Sequence, residues 1–136
     1  MSLFDDEQLE ELIYRILREA EYRKPEHHLG RPFMTSYQIA IKIKERNPDL
    51  FLVISKGQEG VGGKGHGEHY SAAQYLAKML SQRIKKKGTA YKVEGGFLSH
   101  EYVQQLIYND IPVVEAGLGS HDISIFRLRD KAGGSI

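Results

Sequence analysis

Thr35-Ser36-Tyr37-Gln38-Ile39-Ala40-Ile41-Lys42-Ile43-Lys44-Glu45-Arg46 supports two opposite readings, and the choice between them decides the fold. Tyr37, Ile39, Ile41 and Ile43 alternate with polar or small residues, the period-two pattern of a half-buried strand. Against this, Thr35 followed three residues later by Gln38 has the capping-box pattern, in which the threonine hydroxyl accepts a backbone N–H and the glutamine reaches back to the threonine. The cap favours a helix from residue 36 to about Arg46, ended near Asn47-Pro48 because proline excludes helical geometry from the residue before it.

The same chemistry recurs at Ser71-Ala72-Ala73-Gln74, which predicts a second capped helix running through Lys85. Its apolar stripe is Ala72, Tyr75, Leu76, Met79, Leu80 and Ile84, leaving Gln74, Lys78, Ser81, Gln82 and Lys85 on the opposite face. Between the two helices, Leu50 to Ile54 reads as a short strand or a helical extension. Residues 56–67 hold six glycines in twelve, which predicts a flexible loop.

Toward the N-terminus, Leu9, Leu12, Ile13, Ile16, Leu17 and Ala20 recur at helical spacing and predict one amphipathic helix over residues 6–23, capped by Asp5 or Asp6. Two prolines, a glycine and His27-His28 mark residues 24–33 as a connecting loop. Toward the C-terminus, residues 90–94 read as a strand, Gly95-Gly96 as a turn, and Ser99 as the cap of a short helix reaching Tyr108, with Val103, Leu106 and Ile107 inward. Two strands, 111–116 and 123–128, then flank a connector, residues 117–122, of hairpin composition.

Composition bounds the rest. A chain of 136 residues that is 40% hydrophobic and 27% charged suits one soluble domain with one core. The absence of cysteine excludes a disulfide framework, a thiolate metal site and a cysteine nucleophile, and fits a reducing cytoplasm. No apolar run approaches the roughly 20 residues of a membrane span, and the acidic N-terminal region does not resemble a signal peptide. Thirteen of the nineteen Lys and Arg residues lie between Lys24 and Lys92, with only five of the eighteen acidic residues. A polyanionic partner would meet this basic middle, not the nearly neutral average.

Three patterns carry the residue types of catalysis or metal binding without the spacing. Gly57 to Gly63 encloses five residues and Gly65 follows Lys64, which breaks the phosphate-loop pattern. His66 and His69 stand three apart in a glycine loop, where zinc proteases use a four-residue spacing on a helix. Ser120-His121-Asp122 are sequence neighbours on a turn and so do not aim at one another as a hydrolytic triad requires.

The segments Thr35-Ser36-Tyr37-Gln38-Ile39-Ala40 and Ser71-Ala72-Ala73-Gln74-Tyr75-Leu76-Ala77-Lys78-Met79-Leu80 together resemble the two helices of a winged helix-turn-helix protein, with residues 113–116 and 123–129 as wing strands. The link over residues 47–70 is longer than the usual tight turn, and the helix expected at 99–108 interrupts the passage into the wing. The resemblance implies an α+β, winged-helix-like domain over residues 1–129, with three to four helices, a small antiparallel sheet and a C-terminal hairpin, followed by a frayed tail at 130–136. It implies double-stranded DNA as partner and a role as transcriptional regulator or accessory factor, with residues 71–87 in or along the major groove. Gln74, Lys78 and Gln82 are the candidate base-reading residues, and Ser36, Ser71, Arg83, Lys85 and Lys86 the candidate phosphate contacts. No enzymatic activity, cofactor or metal is expected, and a homodimer is an available assembly. The alternative is a protein-interaction domain whose basic band docks an acidic partner or the acidic first helix of a second copy.

Overall fold

The Thr35 cap wins over the strand alternation. In the computed structural model, which describes residues 6–57, 71–103, 106–109, 111–113 and 123–129, Thr35 Oγ1 accepts from Gln38 N at 3.1 Å while Thr35 N donates to Gln38 Oε1 at 2.8 Å. Helix α2 (Ser36–Arg46) follows, burying Ile39, Ala40 and Ile43 at helical spacing and leaving Tyr37 and Ile41 half-buried at its flanks. Asn47 ends it and begins the next element: its N–H donates to Ile43 O, and its side chain accepts from Leu50 N at 3.1 Å. Pro48 then occupies the first turn of α3 (Pro48–Ile54), where its missing N–H costs nothing. The run from Leu50 to Ile54 is thus a separate short helix, with Leu50, Phe51 and Ile54 buried.

Helix α1 (Asp6–Arg18) stops short of the expected Arg23. Helix α4 (Ala72–Lys87) begins at the Ser71 cap, whose Oγ accepts from Gln74 N at 3.1 Å, and ends at Gly88, which takes a positive φ of 59°. Leu9, Ile13, Ile16 and Leu17 of α1 meet Ile39 and Ile43 of α2, Phe51 and Ile54 of α3, and Leu76 and Leu80 of α4 in one core. Each such aliphatic side chain removed from water contributes about 1.5–3 kcal/mol. That gain is why the helical period, rather than local propensity, fixes the elements.

Strands β1 (Met34–Thr35), β2 (Val93–Leu98) and β5 (Ile123–Leu128) form an antiparallel sheet in the order β1-β5-β2. Met34 faces Phe126 across one edge of β5, and Val93 through Leu98 face Leu128 through Ile123 across the other. Val93, Phe126 and Leu128 join the helical core from this sheet. Among the described residues the domain is α+β and winged-helix-like, with a small three-stranded antiparallel sheet set against four helices.

The segment after α4 departs from the sequence reading. Gly95-Gly96 is no turn; both residues sit inside β2, and a Cβ on Gly95 would come 3.0 Å from the Phe126 ring. The helix expected over residues 99–108 does not form. Ser99 Oγ does accept from Glu101 N at 3.1 Å, but Tyr102 takes a left-handed φ of 66° that halts propagation. Strand β3 (Leu106–Tyr108) follows instead, pairing with β4 (Ile111–Val113) through a turn at Asn109, φ 49°. Leu106, expected in the core, is only half-buried, and Ile107 is exposed. The wing pairing is corrected as well: β4 pairs with β3, and β5 uses both its edges on β1 and β2. The hairpin closing the domain is therefore β2 with β5, and the β3–β4 ribbon is inserted between them. That ribbon returns to α2, where Tyr108 stacks on Tyr37 at 6.5 Å between centroids and its hydroxyl lies 3.2 Å from Thr35 Oγ1. The expectations for residues 58–70, 114–122 and 130–136, including the mobile loop and the frayed tail, fall outside the described residues.

Candidate nucleic-acid interface

The face of α4 turned away from the core is polar along its whole length. Ala72, Ala73, Leu76, Met79 and Leu80 are buried, whereas Gln74, Lys78, Ser81, Gln82, Lys85 and Lys86 are exposed. From Gln74 to Lys85 the row climbs three helical turns, about 16 Å at 1.5 Å per residue. Amides and ammonium groups alternate along it. The lysines crowd the last turn, where the negative end of the helix dipole favours cations.

Two devices fix this helix as a rigid presenter. At its start, Ser71 is buried and its hydroxyl is taken by the cap. Near its end, Arg83 forms an ion pair with Glu10 of α1 at 3.5 Å, and the same carboxylate accepts from Tyr91 Oη at 2.6 Å and Tyr14 Oη at 3.3 Å. Burial and these hydrogen bonds push the Tyr91 hydroxyl far above the usual phenol range. Lys87 and Lys92 cover the Tyr91 and Tyr14 rings at 5.5 and 5.1 Å. Side chains from α1, from α4 and from the segment after it therefore converge on one carboxylate, and α4 cannot roll on α1 without breaking that cluster.

Of the eight candidate contacts, Gln74, Lys78, Gln82, Lys85 and Lys86 lie together on the exposed row. The other three stand elsewhere. Ser36 is buried at the first position of α2, Ser71 is the buried cap of α4, and Arg83 is half-buried against Glu10. The Glu10 cluster escaped the sequence reading because Arg83 and Tyr91 lie more than seventy residues from Glu10 and meet it only in the folded chain.

His27 and His28 stack on each other at 4.2 Å, and His27 Nδ1 accepts from Leu29 N, an ordinary turn contact. Among the described residues no group of three or more His, Cys, Asp or Glu side chains is placed to hold a metal ion. His66, His69 and residues 120–122 lie outside those residues. Among the described residues, too, no helix is long and apolar enough to cross a membrane. No protein-family description, curated protein or solved structure significantly matches the chain.

Proposed function

We propose that this chain binds double-stranded DNA through the outer face of α4, in a winged helix-turn-helix manner, as a cytoplasmic transcriptional regulator or accessory factor without catalytic activity. The observation that carries the reading is the exposed amide and ammonium row Gln74, Lys78, Gln82, Lys85 and Lys86 on a helix clamped at both ends. Amides address base edges and ammonium groups neutralise phosphates, so such a row suits a duplex groove. The sheet order β1-β5-β2, with α2 and α4 packed together, supports the same reading by placing a long hairpin after the presenting helix. In this proposal Ser36, Ser71 and Arg83 serve the frame that holds the helix. A homodimer would offer two such rows to two half-sites.

A protein-partner reading has its own observation: Phe97 and Leu98 of β2, with Tyr102 and Ile107 beyond it, are large apolar side chains exposed to solvent. Affinity for random duplex DNA as a function of salt separates the two. A groove-bound basic helix gives a log–log slope near −0.9 per phosphate neutralised. Undetectable duplex binding at low salt would overturn the DNA reading and leave the second one.

A further inference from the structure

A second surface, built by different residues, has the character of a small-molecule site. Residues 21–33, linking α1 to β1, wrap around a wide-mouthed cavity of about 780 Å³ whose far wall is Arg127 of β5. That volume lies within the range of ligand pockets, roughly 300–1,000 Å³.

The loop is held in shape by specific contacts. Arg127 donates Nε to Glu94 at 2.7 Å and Nη1 to the carbonyls of Leu29 and Arg31 at 2.5 and 2.9 Å. Its guanidinium lies 4.2 Å from the Phe33 ring centroid. Gly30 completes the turn with a φ of 85°, and a Cβ there would stand 2.9 Å from Arg127 Nη1. Any other residue at position 30 would therefore both strain the backbone and collide with the clamp. Across the cavity the Arg31 guanidinium lies 5.2 Å from the Tyr22 ring centroid. Two aromatic rings thus line one concavity, each with a guanidinium on one face, and exposed Lys24 stands on the lining as well. Four of the lining side chains are cationic; Arg23 pairs with the lining carboxylate Glu21 at 3.0 Å and Arg127 with Glu94 at 2.7 Å, and with Lys24 and Arg31 the lining keeps a net positive charge.

We infer that this cavity binds a small ligand made of a planar ring bearing an anionic group. Rings offer stacking, the excess of cations selects the charge, and a braced loop loses little entropy on binding. The site shares no residue with the exposed row of α4, so the inference stands whether or not the DNA reading does.

Calorimetric titration of the full chain with salicylate and with adenosine 5′-monophosphate tests it, each beside its neutral counterpart, salicylamide or adenosine. The two anions separate a carboxylate from a phosphate ligand. At least one is expected to bind saturably with Kd below about 1 mM, and its neutral counterpart at least about tenfold more weakly. Phe33→Ala and the charge reversal Lys24→Glu are each expected to weaken that binding at least about fivefold, whereas Lys85→Ala with Lys86→Ala leaves it unchanged. Lys24 is exposed, so its variant reports on the cavity even where Phe33→Ala disturbs the fold. The inference is overturned by failure of both anions to bind, by equal binding of the neutral molecules, by indifference to Lys24→Glu, or by loss of binding in the α4 double variant.

Discussion

Tyr91 donates its hydroxyl to Glu10 at 2.6 Å, joining the residue that follows the 3-10 turn Gly88–Ala90, just beyond α4, to the middle of α1. Hydrogen bonds to charged acceptors contribute about 1.5–3 kcal/mol. Tyr91→Phe keeps the ring and removes the hydroxyl, with its bond to Glu10 and its contact with Tyr14, so it is expected to lower unfolding stability by at least the low end of that range. Glu10→Gln, which also weakens the Arg83 pairing, is expected to cost at least as much. Denaturant titration of both variants provides the measurement, and a Tyr91→Phe variant as stable as the parent would show the hydrogen bond to be energetically idle.

Buried phenols, two of them in this cluster, set an alkaline limit. Burial raises the hydroxyls of Tyr14, Tyr37, Tyr91 and Tyr108 above the ordinary phenol value in the folded chain. A group whose folded pKa is raised contributes stability that is complete below its unfolded value, about 10, and is lost as pH climbs beyond it. Stability is therefore expected to fall as pH rises above about 10, and to fall less steeply in Tyr91→Phe. Thermal melts across the alkaline range, read beside phenolate absorbance, decide this; a parent and variant with identical alkaline slopes would refute it.

Gly95 and Gly96 are neighbours in β2 with opposite tolerances. A Cβ on Gly95 meets two atoms of the Phe126 ring at 3.0 Å and the Ile125 carbonyl at 3.2 Å, whereas one on Gly96 finds its nearest atom at 3.9 Å. Gly95→Ala must displace a buried ring and is expected to cost about 1–3 kcal/mol. Gly96→Ala should be close to neutral. Equal melting temperatures for the two variants would contradict the packing described.

For the proposed DNA function, Lys78→Ala and the double change Lys85→Ala with Lys86→Ala are expected to weaken duplex binding while thermal stability stays nearly constant, since exposed charges contribute little to folding. The double variant should also shallow the salt slope by about one unit for each phosphate left without its lysine. Gln74→Ala should reduce discrimination between sites with less effect on the slope, because an amide releases no counterion. Fluorescence anisotropy on random and preferred duplexes reads all three, and parent-like behaviour throughout would end the proposal.

What could be read from sequence was what is encoded locally. Thr35 with Gln38, and Ser71 with Gln74, announce helices through bonds made within three residues, and Leu9, Ile13 and Ile16 mark a buried face by spacing alone. Gly95-Gly96 misled because the reason for glycine there is Phe126, which lies far along the chain. Ser99 made the bond of a cap, yet the left-handed Tyr102 just beyond it prevents a helix. Arg83 reads as a surface cation until α1 brings Glu10 beside it. The exposed row of α4 was legible for the same reason as its buried stripe. The cavity beside Arg127 was not, because it exists only once β5 has been laid against the loop before β1.

The sheet order also governs when the domain can be completed. β5 is the central strand, yet it follows β1 and β2 in the chain, and Met34 waits for Phe126 as its partner. During synthesis the helices can gather before the sheet exists, leaving β1 and β2 with open edges and Met34 and Val93 without their partners Phe126 and Leu128. Late closure by a distant strand makes a slow, non-local final step. Until residues 123–128 have joined the sheet, the facing edges of β1 and β2 have no partner strand, and a chain lacking β5 is expected to expose them.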